Sequence, residues 1–245
     1  MNLGVRESGR LAQRLVDSIG HGSLANDVVV APSFPALGTV ADVVRGTMIE
    51  LGAQDMFWEE RGAFTSGVSP LILRELEVHY VLVGHSERRQ HVGETDIMIH
   101  HKVAAALEHQ ITPIICVGET MEERRDGRRD LVLAHQVQAA LTGIAVASPA
   151  SVIVAYEPVW VIGTGRPVEG ADARHATEVI RQALRDLWHS DALVQAASRV
   201  VYGGSVDRDN IRSFLSQDVI DGALVGGASL HPEEFVEMIQ SNYGD

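Results

Sequence analysis

Short β-branched runs recur along the chain, at Val28-Val29-Val30, Tyr80-Val81-Leu82-Val83, Ile114-Ile115-Cys116-Val117, Val152-Ile153-Val154, Val200-Val201-Tyr202 and Ala223-Leu224-Val225. Between them, apolar residues return at helical spacing: Leu11/Leu15, Ala104/Leu107, Leu131/Ala134/Val137/Leu141, Val179/Ile180/Ala183/Leu187 and Phe235/Ile239. Strands that are apolar without a break are buried on both faces, and their alternation with amphipathic helices predicts parallel βαβ units. The pattern predicts seven strands, near 28–31, 48–53, 79–84, 112–117, 151–156, 199–203 and 222–226, with a helix at about 5–19 before the first. A closed (β/α)8 barrel needs eight strands, so its first strand is expected upstream of residue 1. A doubly wound sheet is the alternative, but no G-x-G-x-x-G follows an early strand. No Pro/Ser-rich linker, composition break or short-period repeat divides the chain, and residues 1–245 read as one domain.

Composition narrows the class. With 45% hydrophobic and 22% charged residues, the chain reads as a folded globular protein rather than a disordered one. Apolar runs such as Val103–Leu107 fall far short of the ~20 residues that span a bilayer. Met1–Arg14 is charged and has no apolar signal core, and Cys116 is the single cysteine, so a reducing cytoplasm is expected. A formal net charge of −13 argues against a nucleic-acid partner, which a basic face would have to bind. The basic residues are 19 arginines and one lysine, Lys102. Lys102 shares a helical stretch with His100, away from any strand end, and is expected at the surface. His100-His101 lacks the spacing of a zinc site, and the mixed-sign run Met121–Asp130 is expected to be a solvated approach to a helix.

Sites on parallel α/β sheets form at the C-terminal ends of strands. There the chain places Gly84-His85-Ser86-Glu87-Arg88-Arg89, then Tyr156-Glu157-Pro158-Val159-Trp160-Val161-Ile162-Gly163-Thr164-Gly165, Tyr202-Gly203-Gly204-Ser205-Val206 and Val225-Gly226-Gly227-Ala228-Ser229-Leu230. Paired glycines on two successive strands let the backbone approach an oxyanion and offer N–H donors, which suits a phosphate. Glu157, directly after a strand and before Pro158, suits a general base if an apolar lid shields it. Val159–Ile162, between Pro158 and the glycines 163 and 165, is the candidate lid. His85 suits proton handling, although a salt-bridged carboxylate and a structural histidine are the plainer readings of each residue alone. Cys116 reads as a small buried residue rather than a nucleophile.

Taken together, Gly52-Ala53-Gln54-Asp55 with the run from Trp58 to Thr65, then GHSERR, YEPVW-x-IGTG, YGGSV and DG-x-LVGGASL, closely resemble the triosephosphate isomerases, in that family's order and from about residue 2 to 240. The resemblance implies a homodimeric TIM barrel that interconverts dihydroxyacetone phosphate and D-glyceraldehyde 3-phosphate in glycolysis and gluconeogenesis, with no metal or cofactor. It assigns Glu157 as the base, His85 as the electrophile and Glu87 as the acidic residue beside them. Gly163, Ser205, Gly226 and Gly227 would hold the phosphate, and Thr65 would reach the neighbouring subunit from a projecting loop, 55–69. The family's first strand carries an Asn-x-Lys-Met-Asn pattern that this chain lacks, so the chain as written is expected to turn over weakly and fold poorly. Two alternatives share the motifs: an isomerase of four-carbon sugar phosphates, and a non-catalytic phosphate-binding relative without the lysine.

Overall fold

The computed structural model describes residues 1–20, 25–145, 151–164, 167–189 and 198–241. Helix α1 (Val5–Ile19) leads into β1 (Val28–Val30), α2 (Phe34–Val44), β2 (Ile49–Ala53), α3 (Pro70–Glu75) and β3 (Tyr80–Val83). There follow α4 (Ser86–Val92), α5 (Asp96–Glu108), β4 (Thr112–Val117), α6 (Met121–Arg125), α7 (Arg129–Leu141) and β5 (Val152–Tyr156). The chain then runs through α8 (Gly170–Trp188), β6 (Ser198–Tyr202), α9 (Ile211–Leu215), β7 (Gly222–Ala223), a 3-10 turn (Gly227–Leu230) and α10 (Pro232–Gln240).

All seven strands lie in one sheet in the order of the sequence, and every pair is parallel. The two-residue period of a strand divides the buried side chains between two cores. On β3, β4 and β5, Val81, Val83, Ile115, Val117, Val152, Val154 and Tyr156 join the large cluster that packs against the helices. Leu82, Ile114, Cys116, Ile153 and Ala155 form a second cluster on the opposite, inner face of the curled sheet. Ala31, Val201 and Leu224, nearer the two sheet edges, pack on that inner cluster while only partly buried. Among the described residues, β1 and β7 each keep one edge without a strand partner. The strand expected at 222–226 closes its ladder at Ala223; Leu224 adds one backbone bond to the Tyr202 carbonyl, and the glycines then turn the chain away.

The helices begin where local chemistry lets them. Glu7 accepts from the Gly4 N–H at the start of α1, Thr95 caps α5, and Thr120 with Glu123 forms a capping box on α6. In α1 the buried positions Ser8, Ala12, Leu15, Val16 and Ile19 make the stripe that faces the core.

Two expectations from the sequence are overturned. Lys102 is not at the surface: its residue is 2% exposed, on the same inward stripe of α5 as Ile99, Val103 and Ala106. Its Nζ lies 2.5 Å from both Asp55 Oδ1 and Glu94 Oε1. Arg88 binds the same two carboxylates, at 2.8 and 2.7 Å, so two positive charges face two negative ones. A buried ammonium is tolerable only with such partners, and they come from a loop and a turn that helical spacing does not report. Nor is Met121–Asp130 simply solvated. Arg124 and Arg129 reach across to Asp172 on α8, and their side chains are only 25% and 19% exposed.

Candidate active site

Glu157 and His85 come from strands that are not neighbours. Gly84 ends β3 in a left-handed conformation (φ +75°), and His85 caps α4 at once. Glu157 follows β5, two strands along, and its backbone N–H continues the ladder to the Val117 carbonyl. The intervening strand β4 leaves through Gly118, where a Cβ would sit 1.7 Å from the Glu157 carbonyl oxygen, so only glycine fits there. Gly203, after β6, closes the other side: a Cβ there would lie 3.0 Å from Glu157 Cγ.

The Glu157 residue is 1% exposed. Its Oε2 accepts from the Ser86 N–H at 3.0 Å, at the first turn of α4, whose free amides favour an anion. Its Oε1 lies 3.1 Å from His85 Nε2, yet their geometry makes no hydrogen bond, and Oε1 is a buried acceptor with no hydrogen-bond partner among the described residues. Burial pushes the carboxyl above its usual range, against the opposing pull of His85 and of the Ser86 amide. On the other side of the imidazole, Nδ1 accepts from the Glu87 N–H at 3.3 Å, which leaves the ring proton of a neutral His85 on Nε2, facing Glu157. The same burial, with the Glu157 charge next to it, drives the Cys116 thiol well above its ordinary range, so Cys116 stays protonated.

The remaining expected residues fall at the same end of the sheet. The loops after β5, β6 and β7 stand side by side: Gly203 N–H donates to the Tyr156 carbonyl and Leu224 N–H to the Tyr202 carbonyl, both at 2.8 Å. Ser205 lies in the first of the two glycine-rich turns, its carbonyl held by Asn210 at 3.2 Å. Gly226 and Gly227 open the 3-10 turn, and a Cβ at either of them or at Gly163 (φ +72°) would meet none of the described residues within 4 Å. Gly165 lies outside the described residues. Glu87 stands apart, with its side chain 69% exposed and its carboxylate 3.9 Å from His85 Nδ1. Thr65 is exposed in the loop after β2, next to Phe64, whose ring packs on Phe57.

The candidate lid is held by residues the sequence reading passed over. Trp160 Nε1–H donates to Glu119 Oε1 at 2.9 Å, and Tyr156 donates its hydroxyl to the same carboxylate at 3.2 Å. Glu119 is fully buried and ends β4 by a Val-Gly step. An acidic residue one glycine beyond a buried strand was the signal available, close to the one that marked Glu157. Beyond the lid, Val168 N–H donates to the Tyr202 hydroxyl at 3.4 Å, and burial holds that phenol at about 12. Ser86 and Gly118 also touch Glu157, and so does Gly203, which the sequence placed in a glycine pair suited to a phosphate.

The triosephosphate isomerase family matches residues 1–242 of the chain. The chain belongs to that family. It is 44% identical over 233 residues to the triosephosphate isomerase of Caldanaerobacter subterraneus subsp. tengcongensis, covering 95% of this chain and 92% of that protein. The Roseiflexus castenholzii triosephosphate isomerase is 49% identical over 231 residues, 93% of this chain and 90% of that protein. The one from Dictyoglomus turgidum is 43% identical over 223 residues, 91% and 89% of the two chains. The parallel α/β fold and the isomerase motifs thus agree with the family. No described helix is long and apolar enough to cross a membrane.

Proposed function

We propose that this chain interconverts dihydroxyacetone phosphate and D-glyceraldehyde 3-phosphate, as a homodimer in the cytoplasm. The observation that carries the reading is the Glu157 carboxylate: buried, raised in proton affinity, with one oxygen held by the Ser86 amide and the other unpartnered beside His85 Nε2. In this reading Oε1 takes the proton from the carbon next to the substrate carbonyl. The Nε2–H of His85 polarises the carbonyl oxygen and stabilises the enediol(ate) that forms. Glu157 then returns the carbon proton to the neighbouring carbon while His85 passes the hydroxyl proton from one enediol(ate) oxygen to the other, which completes the exchange of aldehyde and ketone. Amides at Gly163, Ser205, Gly226 and Gly227 hold the phosphate, which fixes the reacting carbons against Glu157. Glu87 acts beside them, through its N–H on His85 Nδ1. Exposed Phe64 and Thr65 support the loop 55–69 as the part that enters a second copy. The names of the relatives support a three-carbon substrate over a four-carbon one, and the intact carboxylate and histidine oppose a binding protein without turnover.

Lys102, the chain's single lysine, is buried between Asp55 and Glu94 and supplies no charge to the phosphate. The test is steady-state conversion of glyceraldehyde 3-phosphate by residues 1–245, with Glu157→Gln as control. Turnover that the control abolishes supports the reading; turnover that survives it overturns the role of Glu157.

A further inference from the structure

Arg124 occupies a position the isomerase chemistry has not used. It lies on α6, and its guanidinium carbon sits 4.7 Å from the centroid of the Trp160 ring. Its Nη1 is 3.5 Å from Glu119 Oε1, the oxygen that accepts the Trp160 N–H. Its Nη2 is 2.6 Å from Asp172 Oδ2 in the first turn of α8. Arg129 shares that carboxylate at 3.3 Å. One planar cation thus joins the lid's tryptophan to α8. It lies over the Trp160 ring and pairs with the Asp172 carboxylate.

The arrangement also makes physical sense of Glu119. A fully buried carboxylate needs a compensating charge as well as hydrogen bonds, and Arg124 is the cation that the structure places against it. Any movement that lifts Trp160 away breaks the indole bond to Glu119 and strips the ring from the guanidinium in the same step.

We propose that Arg124 is a positioning residue for the lid, holding Trp160 against Glu119 and so setting how often the lid opens. The proposal rests on the isomerase reading of the site, but its test needs no turnover, so the two can fail separately. The readout is hydrogen exchange of the three tryptophan indole N–H groups in the ¹⁵N-labelled 245-residue chain. In Arg124→Met, exchange at Trp160 is expected to speed up about 5- to 30-fold, the factor carried by a partly desolvated cation–π contact. Exchange at Trp188 should not change. Arg124→Lys keeps the charge but loses the planar stack, and should fall between the parent and the methionine variant. Exchange at Trp160 within twofold of the parent in Arg124→Met would overturn the proposal. So would an equal acceleration at Trp188, because that would mean a general loss of stability rather than release of the lid.

Discussion

Replacing Lys102 by methionine separates a buried ion cluster from a surface one. The methionine keeps the length and apolar bulk of the stem and deletes only the charge. Lys102 and Glu94 have side chains 2% and 0% exposed, so water cannot take over when the ammonium is gone. Asp55, at 14%, loses the same partner, and Arg88, 33% exposed, is left as the single cation against two carboxylates. Removing one partner of a buried pair costs about 3–5 kcal/mol. With Arg88 remaining, the lower half of that range is expected here. For a domain of this size each kcal/mol moves Tm by roughly 2–4 °C, so the drop should be roughly 6–16 °C. That is a large share of the ~5–15 kcal/mol that holds a typical domain together. The assay is thermal unfolding followed by circular dichroism, with urea titration for the free energy. The pH dependence adds a second check. Burial already holds the Asp55 carboxyl above its usual range, with Lys102 pulling the other way. Without Lys102 it rises further, so the folded variant takes up protons more readily than its unfolded chain. The deficit should therefore widen as the pH rises above the ordinary 3.8 and level off above the folded value. A loss below ~1 kcal/mol, the value of an exposed pair, would refute the reasoning.

Three further outcomes follow from the site. Glu157→Gln should abolish turnover yet raise Tm at pH 7, because it removes a carboxylate that burial keeps from ionising freely. Since the folded carboxyl lies above its ordinary 4.5, the gain should be full above the folded value and vanish below 4.5 in a pH series of melts. Ser86→Pro keeps a backbone that proline tolerates, with His85 extended before it (ψ 139°), but its ring carbon takes the place of the N–H and must push Glu157 Oε2 aside. It deletes the amide that lowers the proton affinity of Glu157, so the acidic limb of the kcat/KM profile should move to higher pH; an unmoved limb would discount that hydrogen bond. Gly203→Ala should press its methyl on Glu157 Cγ, displace the carboxylate by a few tenths of an ångström and lower kcat/KM ~10-fold. A wild-type rate in Gly203→Ala would show that the carboxylate tolerates such a shift.

Much of this architecture is local information. The strands at 28–30, 49–53, 80–83, 112–117, 152–156 and 198–202 and the helix at 5–19 were legible because β-branched runs and helical periodicity are properties of neighbouring residues. Glu157 and His85 were legible for a related reason: each follows directly on a buried strand, and the ends of parallel strands are where chemistry can reach solvent. The order of the strands then decided what the sequence could not. It brought Ser86 to Glu157 across 71 positions and left Oε1 of that carboxylate without a hydrogen bond. It gathered Glu119, Tyr156, Trp160 and Arg124 into one lid anchor, though no periodicity links them. Lys102 shows the limit most clearly. Its place on a helix was readable, but its burial depended on Asp55, 47 positions away, and on Glu94 in a turn. A charge's environment is set by whatever the fold packs around it, and only the tertiary structure supplies those neighbours.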